Sequence, residues 1–177
     1  MDKLTIKGGI PLKGKIKVGG AKNVAMKVIL AGLLTDEKLH VTGVPHISSV
    51  TGTADIVRPL GVSVEFANHK LKVDAGRINN ERVPLEVGSL YRTATMVLGP
   101  LLHRFGKAVV PNPGGCRIGL RPIDRHIDAI RKMGAIIKYN SADGYFYATA
   151  PKNFMESIIA LIKILIRERK LLSSLRF

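Results

Sequence analysis

Apolar and polar residues alternate along the first stretch of the chain, with Leu4 and Ile6 before a Gly8-Gly9 and Pro11 interruption and Leu12, Ile16 and Val18 after it. A period of two puts every second side chain on one face of a strand, so residues 3 to 18 are predicted to form a β-hairpin. After Gly19-Gly20 the period lengthens. Val24, Val28 and Leu33 recur at helical spacing, which predicts a helix opening with Lys22 and Asn23 and closing near Leu34, ahead of Thr35-Asp36-Glu37. A strand around Leu39 to Thr42 leads through Gly43 and Pro45 into a second helix carrying Val50, Ala54, Val57 and Leu60, stopped by Gly61.

The same apolar spacing returns 73 residues later as Ile123, Ile127, Ile130 and Met133, stopped by Gly134. The flanks return with it. Each helix is followed by a predicted strand pair, Val62 to Phe66 with Leu71 to Val73, and Ala135 to Tyr139 with Tyr145 to Ala148 across an Asp143-Gly144 turn. The Leu33-Leu34 helix end recurs as Leu101-Leu102 at a shift of 68, so the second copy is five residues longer between these landmarks. The chain therefore reads as two copies of a helix-strand-helix-strand-strand unit. Units that share a core in this way usually come in threes or more, because each buries only part of its apolar face.

The five extra residues fall in the region of a loop with unusual chemistry. Pro111 to His126 holds the single cysteine, Cys116, among glycines and prolines, beside Arg117 and Arg121, and ends where a helix is expected to start at Pro122. Such a loop suits anion binding and a reactive thiol. A tight turn around a buried, inert cysteine is the plainer alternative, and the density of glycine and arginine favours the first.

After Ala150-Pro151 the repeat stops, and Phe154 to Phe177 is one apolar and basic stretch with Ile158, Ile159, Leu161, Ile162, Leu165 and Ile166 on a wide helical face. Such a helix lies on a membrane or binds a partner, or packs on its own domain as an ordinary terminus. Its longest greasy run, Ile158 to Ile166, falls short of the roughly 20 residues a membrane span needs. No integral membrane segment is expected.

Composition narrows the rest. A chain of 177 residues with 46% hydrophobic content forms one good-sized core. One cysteine leaves no intramolecular disulfide, and Met1 leads into charged residues rather than an apolar signal core, so a cytoplasmic location is expected. The formal charge of +15 calls for an anionic partner. With no tryptophan and 5% aromatic residues the chain lacks stacking platforms, which demotes nucleic acid below phosphorylated small molecules.

Three motifs carry a family resemblance. Gly20-Ala21-Lys22-Asn23 is similar to the early Gly-Ala-Lys-Asn motif of the UDP-N-acetylglucosamine 1-carboxyvinyltransferases, and Arg92 followed by Leu98-Gly99-Pro100-Leu101 resembles their second helix start. Most specific is Gly114-Gly115-Cys116-Arg117-Ile118-Gly119-Leu120-Arg121-Pro122-Ile123-Asp124, which resembles the reactive loop of these enolpyruvyl transferases. The related transferase of the shikimate pathway is not expected to carry that loop or its thiol. The resemblance covers about residues 1 to 151 and departs from the family pattern at Lys27, where proline is expected, and at Tyr91 and Thr93.

The resemblance implies an α/β (α+β) fold, an inside-out α/β barrel of repeated units, incomplete here. It divides the chain into a hairpin (1–21) that belongs to the second domain in the family, two repeats of the first domain (22–151) and a divergent tail (152–177). It implies transfer of the enolpyruvyl group of phosphoenolpyruvate to the 3-hydroxyl of UDP-N-acetylglucosamine for peptidoglycan synthesis, with no metal or organic cofactor. Carried over by motif, Cys116, Lys22 and Asn23 are the catalytic residues, and Lys22, Asn23, Arg92, Arg121, Pro122, Ile123, Asp124 and Arg125 bind substrate. Cys116 would protonate carbon 3 of the enol and be open to a covalent adduct or to alkylation by fosfomycin. Lys22 and the arginines would hold phosphate or carboxylate. His126 is left outside the catalytic set, because a polar helix face accounts for it. The missing third repeat and second domain imply weak or absent activity, and exposed apolar faces imply self-association. The different-class alternative is a non-catalytic anion- or membrane-binding module using the basic tail.

Overall fold

A computed structural model describes residues 3–9, 11, 13–114, 122–151 and 154. Its elements alternate in two matching rounds. In the first, helix α1 (Lys22–Ala31) ends in a 3-10 turn at Gly32–Leu34 and passes into strand β1 (Leu39–Thr42). Helix α2 (Ser48–Val57), prolonged by a 3-10 turn at Arg58–Leu60, precedes strands β2 (Ser63–Ala67) and β3 (Lys70–Asp74). A connection containing the short helix α3 (Leu85–Gly88) leads to a 3-10 helix at Arg92–Val97, helix α4 (Leu98–Phe105) and strand β4 (Lys107–Pro111). Helix α5 (Asp124–Lys132) and strands β5 (Ile136–Asn140) and β6 (Tyr145–Thr149) complete the second round.

Each round closes an antiparallel three-stranded sheet with its last strand in the middle, ordered β1-β3-β2 and β4-β6-β5. The predicted repeat is thus present in topology as well as in spacing. The stripe Val50, Ala54, Val57 and Leu60 is fully buried, while of its counterpart only Ile127 is, with Ile130 and Met133 packed at the core margin. Gly61 and Gly134 both take a left-handed conformation, at φ 91° and 97°, which a Cβ would oppose. Their N–H groups donate to the carbonyls of Arg58 and Arg131.

Those two arginines repeat a further device. The Arg58 guanidinium pairs with Asp55 and donates to the Val64 carbonyl at 2.9 Å. Arg131 pairs with Asp128 and donates to the Ile137 carbonyl, also at 2.9 Å. In each copy an arginine at the end of the second helix clasps the strand that follows, at matching positions.

Helix α1 packs against α2 and the Arg92–Val97 turn, and α4 packs on β4 and the 3-10 turn that ends α1. Ile29, Leu33, Ile56, Leu60, Leu98 and Leu101 are the largest side chains in the resulting core, each contributing about 1.5–3 kcal/mol by leaving water. Arg104 of α4 reaches back to the first round, bonding the Asp36 carboxylate and the Ala75 carbonyl.

The hairpin expected over residues 3 to 18 does not form: the described residues there carry no strand. Leu4, Ile6, Ile16 and Val18 are 79–92% exposed. A lone pair of strands is marginal in water, and nothing among the described residues covers its apolar face. The α5 start also shifts, since the helix begins at Asp124 with Ile123 as its cap instead of at Pro122. The tail helix beyond Pro151 lies outside the described residues, Phe154 apart. Among the described residues no helix is long and apolar enough to cross a membrane.

Candidate active site

The N-terminus of α1 opens onto a cleft of about 540 Å³. Among the described residues no side chain caps this helix end and no acidic residue occupies its first turn, and Lys22, Asn23 and Met26 of the helix line the cleft. The Arg92–Val97 helix with Tyr91 ahead of it lines it too, as do Ile123, the cap of α5, and His126 within α5. Met26 and Met96 are its thioether side chains. The charged and titratable residues on the described lining are Lys22, Tyr91, Arg92 and His126, with no carboxylate among them. Anions are favoured here over cations.

Arg92 is fixed rather than loose. Its Nη2 donates to the Pro122 carbonyl at 3.0 Å, which ties it to the segment leading into α5, two residues before the helix. Gly114, which also lines the cleft, lies so close to the Ser89 carbonyl that any Cβ there would run into it. The two described residues that bracket 115–121 are therefore both held against the Ser89–Arg92 segment.

The sequence-derived set divides three ways. Lys22, Asn23, Arg92 and Ile123 share the cleft, and Pro122 meets Arg92 at its edge. Asp124 and Arg125 begin α5 but are exposed and are not among the residues lining the cleft. Cys116 and Arg121 lie outside the described residues.

Several lining residues were not singled out as site residues by the sequence. His126 had been assigned to a polar helix face, yet it faces the cleft. Tyr91 and Thr93 had been noted only as departures beside Arg92. Ser49 and Thr95 carried no signal, because a hydroxyl at helical spacing looks like any solvated position. Thr95 is 5% exposed, and its Oγ1 has no hydrogen-bond partner among the described residues.

Comparison with known proteins agrees with the fold and the motifs. The EPSP synthase family, described as 3-phosphoshikimate 1-carboxyvinyltransferase, matches residues 6–155. A UDP-N-acetylglucosamine 1-carboxyvinyltransferase from Acidiphilium cryptum is 44% identical over 152 residues, 86% of this chain and 36% of its own. One from Coxiella burnetii is 39% identical over 165 residues, 93% of this chain and 38% of its own. The chain thus spans a little over a third of the length of these relatives. Among solved structures, the enolpyruvyl transferase NikO from Streptomyces tendae aligns with TM-score 0.67 at 20% identity, over 81% of this chain and 31% of its own. An EPSP synthase from Acinetobacter baumannii aligns with TM-score 0.56 at 24% identity, over 77% of this chain and 32% of its own.

Proposed function

The chain belongs to the EPSP synthase family of carboxyvinyl transferases, and from that premise we propose that its cleft is the first-domain half of a site that moves an enolpyruvyl group from phosphoenolpyruvate to the 3-hydroxyl of UDP-N-acetylglucosamine. The names of the most similar curated relatives support this acceptor. The observation that carries the reading is the meeting of Lys22, Asn23 and Arg92 around one uncapped helix N-terminus, with Gly114, the entry to the Cys116 loop, on the same lining.

In this reading Lys22, the α1 amides and Arg92 neutralise phosphate and carboxylate, the arginine adding a planar fork that orients its anion. Asn23 offers an amide to a hydroxyl or phosphate oxygen. Cys116 follows Gly114 by two residues, and a thiol with an ordinary pKa near 8.5 holds a proton at neutral pH. It gives that proton to carbon 3 of the enol while positive character develops at carbon 2. The sugar hydroxyl bonds to carbon 2 and its proton passes to the phosphate, which leaves as hydrogen phosphate when its carbon–oxygen bond breaks. Carbon 3 meanwhile returns a proton to the Cys116 thiolate and the double bond re-forms. Arg121 joins the anion cradle, and Pro122 and Ile123 border the nucleotide sugar. In this reading the reaction runs in the cytoplasm and requires no cofactor.

Because the chain holds only about a third of its relatives' length, turnover by the isolated chain is weak or absent, and binding is the firmer readout. Phosphate release from the two substrates, with Cys116→Ser as control, tests activity. Titration with phosphoenolpyruvate tests the cleft, and saturable binding lost on Lys22→Ala is the expected result. Undiminished binding in that variant sinks the assignment.

A further inference from the structure

Two contacts from one turn of α2 grip the chain on either side of Arg92. Gly52 is buried, and the end of the Tyr91 ring lies where a side chain on Gly52 would stand, so even a Cβ would collide with it. The next residue, Thr53, is fully buried; its hydroxyl donates to the Ser49 carbonyl at 2.8 Å and shares a 3.3 Å hydrogen bond with the Thr93 hydroxyl. Thr53 has one proton, and Ser49 takes it, so Thr93 supplies the proton of the second bond. Between these two anchors stands Arg92, the first residue of its 3-10 helix.

We propose that Gly52 and Thr53 are positioning residues for Arg92: through Tyr91 and Thr93 they set the backbone from which the guanidinium reaches both the Pro122 carbonyl and an anion in the cleft. The inference rests on the reading of Arg92 as an anion-binding residue. A side chain on Gly52 displaces the Tyr91 ring, which has two torsions and is packed against the core, and the displacement passes to the adjoining Arg92 backbone. Loss of the Thr53 hydroxyl frees Thr93 on the other side.

The test uses the full 177-residue chain, with phosphoenolpyruvate as titrant and the NMR signal of the Arg92 side-chain Nε–H as a ligand-free readout. Gly52→Ala is expected to weaken phosphoenolpyruvate binding about tenfold, the size of one lost charge-assisted bond, and to move the Arg92 signal. Thr53→Val, nearly isosteric, is expected to move the Arg92 signal without a new clash and covers the case in which Gly52→Ala fails to fold. A merely structural role would lower the melting temperature and leave the Arg92 signal and the affinity in place, which overturns the inference. If Arg92→Ala weakens binding and Gly52→Ala does not, the inference fails and the reading of the cleft stands. If Arg92→Ala changes nothing, that reading of Arg92 fails, and the Arg92 signal alone decides the positioning: unmoved in both α2 variants, it is overturned; moved in either, it holds.

Discussion

Arg92 and Pro122, thirty residues apart in sequence, meet where Nη2 of the arginine donates to the proline carbonyl at 3.0 Å. The bond gives one guanidinium two tasks, bracing the segment ahead of α5 and facing the cleft. A lysine keeps the charge but lacks the fork that serves both. Arg92→Lys is therefore predicted to weaken phosphoenolpyruvate binding about tenfold with little change in melting temperature. Calorimetric titration and a thermal melt of the same samples check it, and equal affinity would argue that charge alone suffices.

The paired clasps predict paired costs. Arg58→Met and Arg131→Met each remove a charged donor from a strand carbonyl, in half-exposed settings that discount the loss, so about 1 kcal/mol is expected from each. Urea unfolding of both variants measures this. A large loss from one and none from the other would show that the two copies do not use the device alike.

The left-handed glycines predict an asymmetry instead. Alanine at either position meets the backbone penalty of roughly 1 kcal/mol. At Gly61 the new Cβ would also stand 2.6 Å from the Arg77 carbonyl, whereas at Gly134 the nearest atom is Pro151 Cγ at 3.4 Å. Gly61→Ala should thus lower the urea midpoint clearly more than Gly134→Ala, and equal losses would contradict the packing described.

Asp36 supplies a pH dependence. Its hydrogen bond to Arg104, with the charge of that guanidinium, holds its pKa below the usual aspartate value. A carboxylate depressed in the folded state stabilises the fold above its unfolded pKa, and that contribution is lost as pH falls through the folded pKa. Glu81 beside Lys107 and Asp143 beside Tyr147 are depressed as well and act in the same direction. Asp36→Asn should be less stable than the parent at pH 7, with the difference shrinking as pH falls below the usual aspartate value, and melts across an acid pH series are the check. A constant difference would rule out the ionic origin.

Much of this architecture is legible in the chain because each repeat advertises itself twice, in the apolar stripe of its second helix and in the glycine that stops it. Helical and strand periods survive in Val50 to Leu60 and in Ile136 to Thr149 because each element buries one face. The same logic misleads at Leu4 to Val18, where alternation is present but no described surface receives it. Lys22, Asn23 and Arg92 are legible only through motif. The contact of Gly52 with Tyr91 is not legible at all, since neither residue is unusual for its element and only the crossing of α2 with the 3-10 helix brings them together. His126 lies on an exposed helical face, as its place in the sequence indicates, and only the fold shows the cleft beside that face.

The central claim is that one cleft, built on the α1 N-terminus and Arg92, takes the anionic substrates. Amide NMR of the labelled chain titrated with phosphoenolpyruvate and then UDP-N-acetylglucosamine tests it most directly. Saturable shifts concentrated at Lys22, Asn23, Arg92, Ile123 and His126 are predicted. Shifts scattered over the basic surface, or saturable shifts confined to another part of the chain, would contradict it.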